Sequence, residues 1–79
     1  MYTLYIIKCA DGSLYTGIAT NLEQRLETHR QGVGSKYVRA RLPFSLVYTE
    51  EYKNRSKATK REMEIKKMTR SEKLMLVKE

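Results

Sequence analysis

Tyr15-Thr16-Gly17-Ile18-Ala19-Thr20-Asn21-Leu22-Glu23-Gln24-Arg25-Leu26-Glu27-Thr28-His29 is the stretch that decides the fold of this chain. It passes from aromatic and β-branched residues to helix formers: the end of a strand, a tight turn, then a helix. Thr20 followed three residues later by Glu23 is a capping-box pair, so the helix is expected to begin at Thr20 and run to about Gln31, with Gly32 at C′. Leu22, Arg25, Leu26 and His29 fall at i, i+3, i+4 and i+7, on one stripe of that helix. Two of the four are apolar and must face the sheet. Each of the others has a plain explanation alone: an arginine at a stripe's edge snorkels, and a histidine near a helix end gains from the dipole. Together on one face, close to Tyr15, they form the pattern of a site.

Working outward, residues 2–9 are rich in β-branched and aromatic types and predict a strand. Residues 10–13 carry a turn signal and Leu14–Ile18 a second strand, so the chain opens with a β-hairpin. Tyr5 and Tyr15 can serve one site only if they share a sheet face. A two-residue loop at Asp11-Gly12 would put them on opposite faces, and a three-residue loop or a bulge on the same one. The expectation is therefore a three-residue loop with Gly12 left-handed.

Gly32-Val33-Gly34 makes a short joint, and Ser35 caps a brief helical turn over Lys36–Ala40. Lys36, Tyr37, Arg39 and Arg41 interleave basic groups with an aromatic, which suits a phosphate backbone and a stacked base; the plain alternative is a polar connector with a core tyrosine. After Pro43 a third strand is expected over Phe44–Tyr52, with Phe44, Leu46 and Tyr48 on one face and Glu50 and Glu51 towards its exposed end. Asn54 or Ser56 caps a helix from about Lys57 to Met68. Ala58, Arg61, Glu62, Ile65 and Met68 share its inward stripe, while Glu64 is solvated. An inward carboxylate such as Glu62 needs a cation or a donor. Thr69 and Glu72 open a last helix that packs through Leu74, Met75, Leu76 and Val77. The sum is an α/β fold, a three-stranded antiparallel sheet flanked by helices, as one domain over residues 1–79.

A net charge of +7 and a pI near 9.7 point to nucleic acid or another polyanion as partner. The single cysteine, Cys9, excludes an internal disulfide and a cysteine metal cluster, and reads as a small buried hydrophobe. The apolar run near the start is short and meets Asp11-Gly12, so neither a signal peptide nor a membrane span is expected, and the cytoplasm is the default location.

An ordered set now stands out: Thr3-Leu4-Tyr5, then Tyr15-Thr16-Gly17 about ten residues on, then Arg25 with His29 four later, then Glu62 in a downstream helix. The set resembles the GIY-YIG nucleases, most closely their small stand-alone bacterial members, over essentially the whole chain. The resemblance implies a GIY-YIG endonuclease-like fold and a metal-dependent endonuclease acting on DNA, with structured or branched substrates and a role in DNA repair in view. It implies Tyr5, Tyr15, Arg25, His29 and Glu62 as catalytic residues. Glu62 would be the ligand of one Mg²⁺ or Mn²⁺ ion, and Gly17 would let the chain approach the site closely. Two positions depart from the family pattern: Thr3 stands where the first signature has glycine, and no asparagine follows Asn54.

The residue types suit phosphodiester hydrolysis. A single carboxylate with waters and substrate phosphate is a usual way to hold Mg²⁺. A permanently charged, fork-shaped arginine suits a phosphate oxygen. A tyrosine can position or deprotonate water if a cation lowers its pKa. Histidine can orient a tyrosine or phosphate, or take the proton itself. The alternatives are a non-catalytic nucleic-acid-binding module of the same fold, and a small domain for a protein or ribosomal partner. Most GIY-YIG nucleases gain specificity from attached domains, so either a partner protein or recognition of nucleic-acid shape is expected to supply it here.

Overall fold

Leu4, Tyr5, Ile6 and Ile7 form an unbroken apolar run, and each is fully buried. A strand that is apolar on both faces needs cover on both. It therefore sits in the middle of the sheet, with helices above and below. The computed structural model describes residues 1–78 and has this arrangement. Strands β1 (Tyr2–Cys9), β2 (Leu14–Ala19) and β3 (Phe44–Tyr52) form an antiparallel sheet in the order β2-β1-β3. Helices α1 (Leu22–Arg30) and α2 (Lys36–Arg39) follow β2, and α3 (Arg55–Lys66) and α4 (Arg70–Val77) follow β3.

The two faces bury different clusters. Tyr5, Ile7 and Ala19 pack with Leu26 of α1 and Val38 of α2 on one side. Leu4 and Ile6 pack with Ile65 of α3, flanked by Met68, Leu76 and Val77, on the other. Within α4, Leu76 and Val77 carry the packing; Leu74 and Met75 are exposed, contrary to expectation. An eight-residue helix presents only one stripe to the core, and the four consecutive apolar residues cannot all lie on it.

The hairpin has the predicted parity. Tyr5 pairs with Gly17 and Ile7 with Tyr15. Cys9 N–H donates to the Ser13 carbonyl across a three-residue loop, and Gly12 is left-handed at φ 86°. Tyr5 and Tyr15 therefore share the α1 face. Gly32 is likewise left-handed, and the Gly32 and Val33 amides close a Schellman motif on the His29 and Thr28 carbonyls.

Three expectations need correcting. The α1 cap is Asn21, whose Oδ1 accepts from Gln24 N–H, because β2 runs on to Ala19 and the turn closes a residue later than the Thr20–Glu23 pair suggests. The alternation of β3 is broken by a bulge: Ile6 pairs with Tyr48 but Ile7 with Leu46, leaving Val47 as the extra residue. Phe44 consequently packs on the α1 face and Tyr48 on the α3 face. Finally, Glu50 is not at an exposed end. Its side chain is 18% exposed and lies under Arg61, which donates to it from Nε and Nη2.

Candidate active site

Tyr5, Tyr15, Arg25 and Glu62 come from β1, β2, α1 and α3, and all four line one open cleft of about 520 Å³ along the β2 edge of the sheet. Gly17, Tyr2, Thr20, Arg55 and Thr59 share its wall. His29 does not line it. It is 2% exposed and stands behind the tyrosines, with its Nε2 3.0 Å from the Tyr5 hydroxyl and its ring edge-on to Tyr15 at 5.6 Å.

Ser35 N–H lies 3.5 Å from Nδ1, and the tautomer that accepts there carries its ring proton on Nε2 and donates it to the Tyr5 oxygen. Burial first and the Arg25 charge second hold the imidazole below its ordinary pKa, which keeps it neutral near pH 7. In this state Nε2 cannot accept the Tyr5 proton. His29 orients the phenol and leaves its O–H free to point elsewhere. Burial, and then the nearby Tyr15, push the Tyr5 hydroxyl up; the Arg25 guanidinium opposes the shift.

Two glycines make these approaches possible. A Cβ on Gly17 would stand 2.5 Å from the Tyr5 hydroxyl oxygen, and one on Gly34 would stand 2.6 Å from His29 Nδ1. Gly17 lies mid-strand opposite Tyr5 rather than in a turn. What it contributes is the missing side chain beneath the Tyr5 ring.

Arg25 lies on the predicted stripe but is exposed, at the cleft wall; Nη1 donates to the Ile18 carbonyl at 3.4 Å, leaving other guanidinium donors open. Glu62 is half-buried, and its carboxylate meets Lys66 Nζ at 3.2 Å. Arg25 and Glu62 do not pair with each other among the described residues, so they are not a bridge holding helix to sheet.

The donor set bears on which metal the cleft could hold. No three His, Cys, Asp or Glu cluster among the described residues, so they offer no ready-made protein cage. One carboxylate beside neutral hydroxyls fits a hard cation that keeps several waters and takes further oxygens from a phosphate. It does not fit a nitrogen- and sulfur-liganded zinc site.

The basic segment divides. Lys36 and Arg39 are exposed. Tyr37 stacks on Tyr15 at 5.9 Å and carries the Arg41 guanidinium 3.8 Å from its centroid. Arg41 also donates from Nε to Asp11 at 3.1 Å. Tyr37 and Arg41 thus brace the site's tyrosine against the hairpin loop, so the Tyr37 ring is already occupied by protein groups.

Arg55, Thr59, Thr20 and Tyr2 were not legible as cleft residues. Arg55, Thr59 and Glu62 are spaced i, i+4, i+7, so a helix begun at Asn54 rather than Ser56 would have put them on one stripe.

The GIY-YIG catalytic domain family model matches residues 1–75. A UPF0213 protein of Staphylococcus aureus (strain Mu3) is 54% identical over 76 residues, covering 96% of this chain and 93% of that protein. The UPF0213 protein SA0446 of strain N315 matches equally. The solution structure of the UPF0213 protein BH0048 from Bacillus halodurans is 40% identical at a TM-score of 0.65, covering 99% of this chain and 84% of that one. That of EF2693 from E. faecalis is 40% identical at 0.68, covering 98% and 82%. The family match runs from Tyr5 in β1 through Glu62 in α3, across the fold and the cleft alike: the chain belongs to the GIY-YIG catalytic domain family.

Proposed function

We propose that this domain is a divalent-metal-dependent endonuclease that hydrolyses phosphodiester bonds of DNA, with structured or branched DNA among its substrates. One observation carries this: four side chains suited to the reaction, from four separate elements, converge on one open cleft. Arg25 binds a non-bridging oxygen of the scissile phosphate through its free donors. Glu62 would hold the cation in exchange for the half-exposed Lys66 ammonium that it meets at 3.2 Å. When bound, the cation neutralises charge on the phosphate and lowers the pKa of water and phenol nearby. Tyr5 and Tyr15 bracket the attacking water: one of them, as the phenolate after giving its own proton to solvent, takes the water's proton as the water oxygen bonds to phosphorus, and the departing sugar oxygen takes a proton from solvent as its P–O bond breaks. His29 is a positioning residue: its Nε2–H keeps the Tyr5 oxygen in register and stabilises negative charge on it. Lys36 and Arg39 extend the basic surface for the DNA backbone, and a partner protein supplies specificity.

A binding module that does not cut is favoured by one contact, the Glu62–Lys66 pair, which already answers the carboxylate's charge. Incubating the purified protein with supercoiled plasmid and with branched DNA separates the two. Nicking that needs Mg²⁺ or Mn²⁺ and stops with EDTA supports the nuclease; salt-sensitive binding without nicking under either ion supports the module.

A further inference from the structure

Four of the seven arginines are tied into the fold, Arg25 donates to one carbonyl, and Arg39 and Arg55 have no side-chain hydrogen-bond or ion-pair partner among the described residues. Arg30, Arg41, Arg61 and Arg70 are each engaged: with Glu27 and the Phe44 ring, with Asp11 and the Tyr37 ring, with Glu50 and Glu64, and with the Gly12 carbonyl. Arg55 is different. It is exposed, it lines the cleft, and its side chain has no hydrogen-bond or ion-pair partner among the described residues. It also sits in the first turn of a twelve-residue helix that has no acidic residue there. A cation at that end opposes the helix dipole, so the position costs stability rather than adding it.

Thr59 lies one turn on, half-buried, on the same wall, and Glu62 follows on the same stripe. Seven residues of helix separate Arg55 from Glu62, roughly 10 Å of rise. A nucleic-acid strand with one phosphate at Arg25, beside Glu62, would present a neighbouring phosphate to the Arg55 end of the same cleft. The guanidinium fork fits its oxygens, and a threonine hydroxyl is an ordinary second donor. We propose that Arg55 and Thr59 form a second phosphate subsite, gripping the nucleic-acid backbone next to the phosphodiester held at Arg25 and Glu62. This rests on the nuclease reading of the cleft.

The test is equilibrium binding in EDTA, by fluorescence anisotropy, to a labelled DNA hairpin with a single-stranded tail and to its RNA counterpart, over a range of KCl. Arg55→Met should reduce the slope of log K against log [salt] by about one, so that it loses about 3.5-fold less affinity than wild type between roughly 50 and 200 mM salt. Arg55→Lys should keep the slope. Lys57→Met removes the same charge from an exposed position that does not line the cleft, and should leave the slope unchanged. The melting temperature of Arg55→Met should not fall, because no contact is lost. If Arg55→Met behaves like wild type while Arg25→Met is weakened, or if Lys57→Met matches Arg55→Met, the subsite is overturned and the nuclease reading stands. If wild type binds neither probe, the nuclease reading fails and the subsite with it.

Discussion

Glu50 and Glu62 are similarly buried, their side chains 18% and 21% exposed, yet they are treated in opposite ways. Glu50 accepts from Arg61 Nε and Nη2 and from the hydroxyls of Tyr48 and Tyr52. Burial raises its pKa, but those donors outweigh it and hold the carboxyl below its ordinary range; Tyr52 is in turn pushed up to about 12. Glu62 has one lysine whose side chain is 55% exposed. A carboxylate saturated by an arginine and two hydroxyls has nothing left to bind; one answered by a single exposed ammonium can exchange that cation for another. The same contrast separates the sheet faces. Beneath α3, Glu50 and Arg61 answer each other, while in the cleft at the β2 edge Arg25 keeps open donors and Arg55 has no partner among the described residues.

The largest expected effect lies on the closed side. Glu50→Ala strands Arg61 and two hydroxyls, and should cost about 3 kcal/mol, the low end for a broken buried pair because Arg61 is itself 26% exposed. Urea unfolding measures it. A cost below about 1 kcal/mol would mean that the two carboxylates do not differ as described.

Next come the glycines beneath the site. Gly17→Ala and Gly34→Ala each drive a methyl into a buried ring, Tyr5 or His29. Each should cost about 1–3 kcal/mol by overpacking and impair cleavage as well. Retention of full activity by both variants would show that the Tyr5–His29 geometry is not needed.

The smallest effect is on pH dependence. His29 is held below its ordinary value of 6.5, so the unfolded chain binds the proton more readily. Its contribution is fully present above pH 6.5 and is lost as pH falls from there towards the folded value, with a slope of at most about 1.4 kcal/mol per pH unit. Glu50, held below its ordinary 4.5, acts in a separate and more acidic window. Replacing His29 with glutamine should remove the first phase of the stability profile alone.

Features that depend on local arithmetic were legible in the sequence. The three-residue loop followed from the parity needed to align Tyr5 with Tyr15, and Ser35, Gly32 and the Thr69–Glu72 capping box stand where their chemistry puts them. Features settled by distant partners were not. Nothing near Leu46 or Val47 marks the bulge, which sends Phe44 and Tyr48 to opposite faces. Glu50 looked like a strand-end carboxylate because Arg61, which covers it, lies eleven residues on in another element. Thr20 and Asn21 are both competent caps, and the length of β2 chose between them. For the cleft, the periodicity that placed Arg25, His29 and Glu62 on inward stripes could not say that His29 would stand behind Tyr5 while the other two reached the wall.

Glu62→Gln tests the central claim most directly, measured by thermal melting with and without Mg²⁺ and by plasmid nicking, with Arg25→Ala alongside. The account predicts that both variants lose cleavage. Glu62→Gln should melt at or above the wild-type temperature in EDTA and lose the stabilisation that Mg²⁺ gives wild type. A large loss of stability in both variants, with no metal effect on wild type and no nicking, would contradict it and make the cleft residues scaffold.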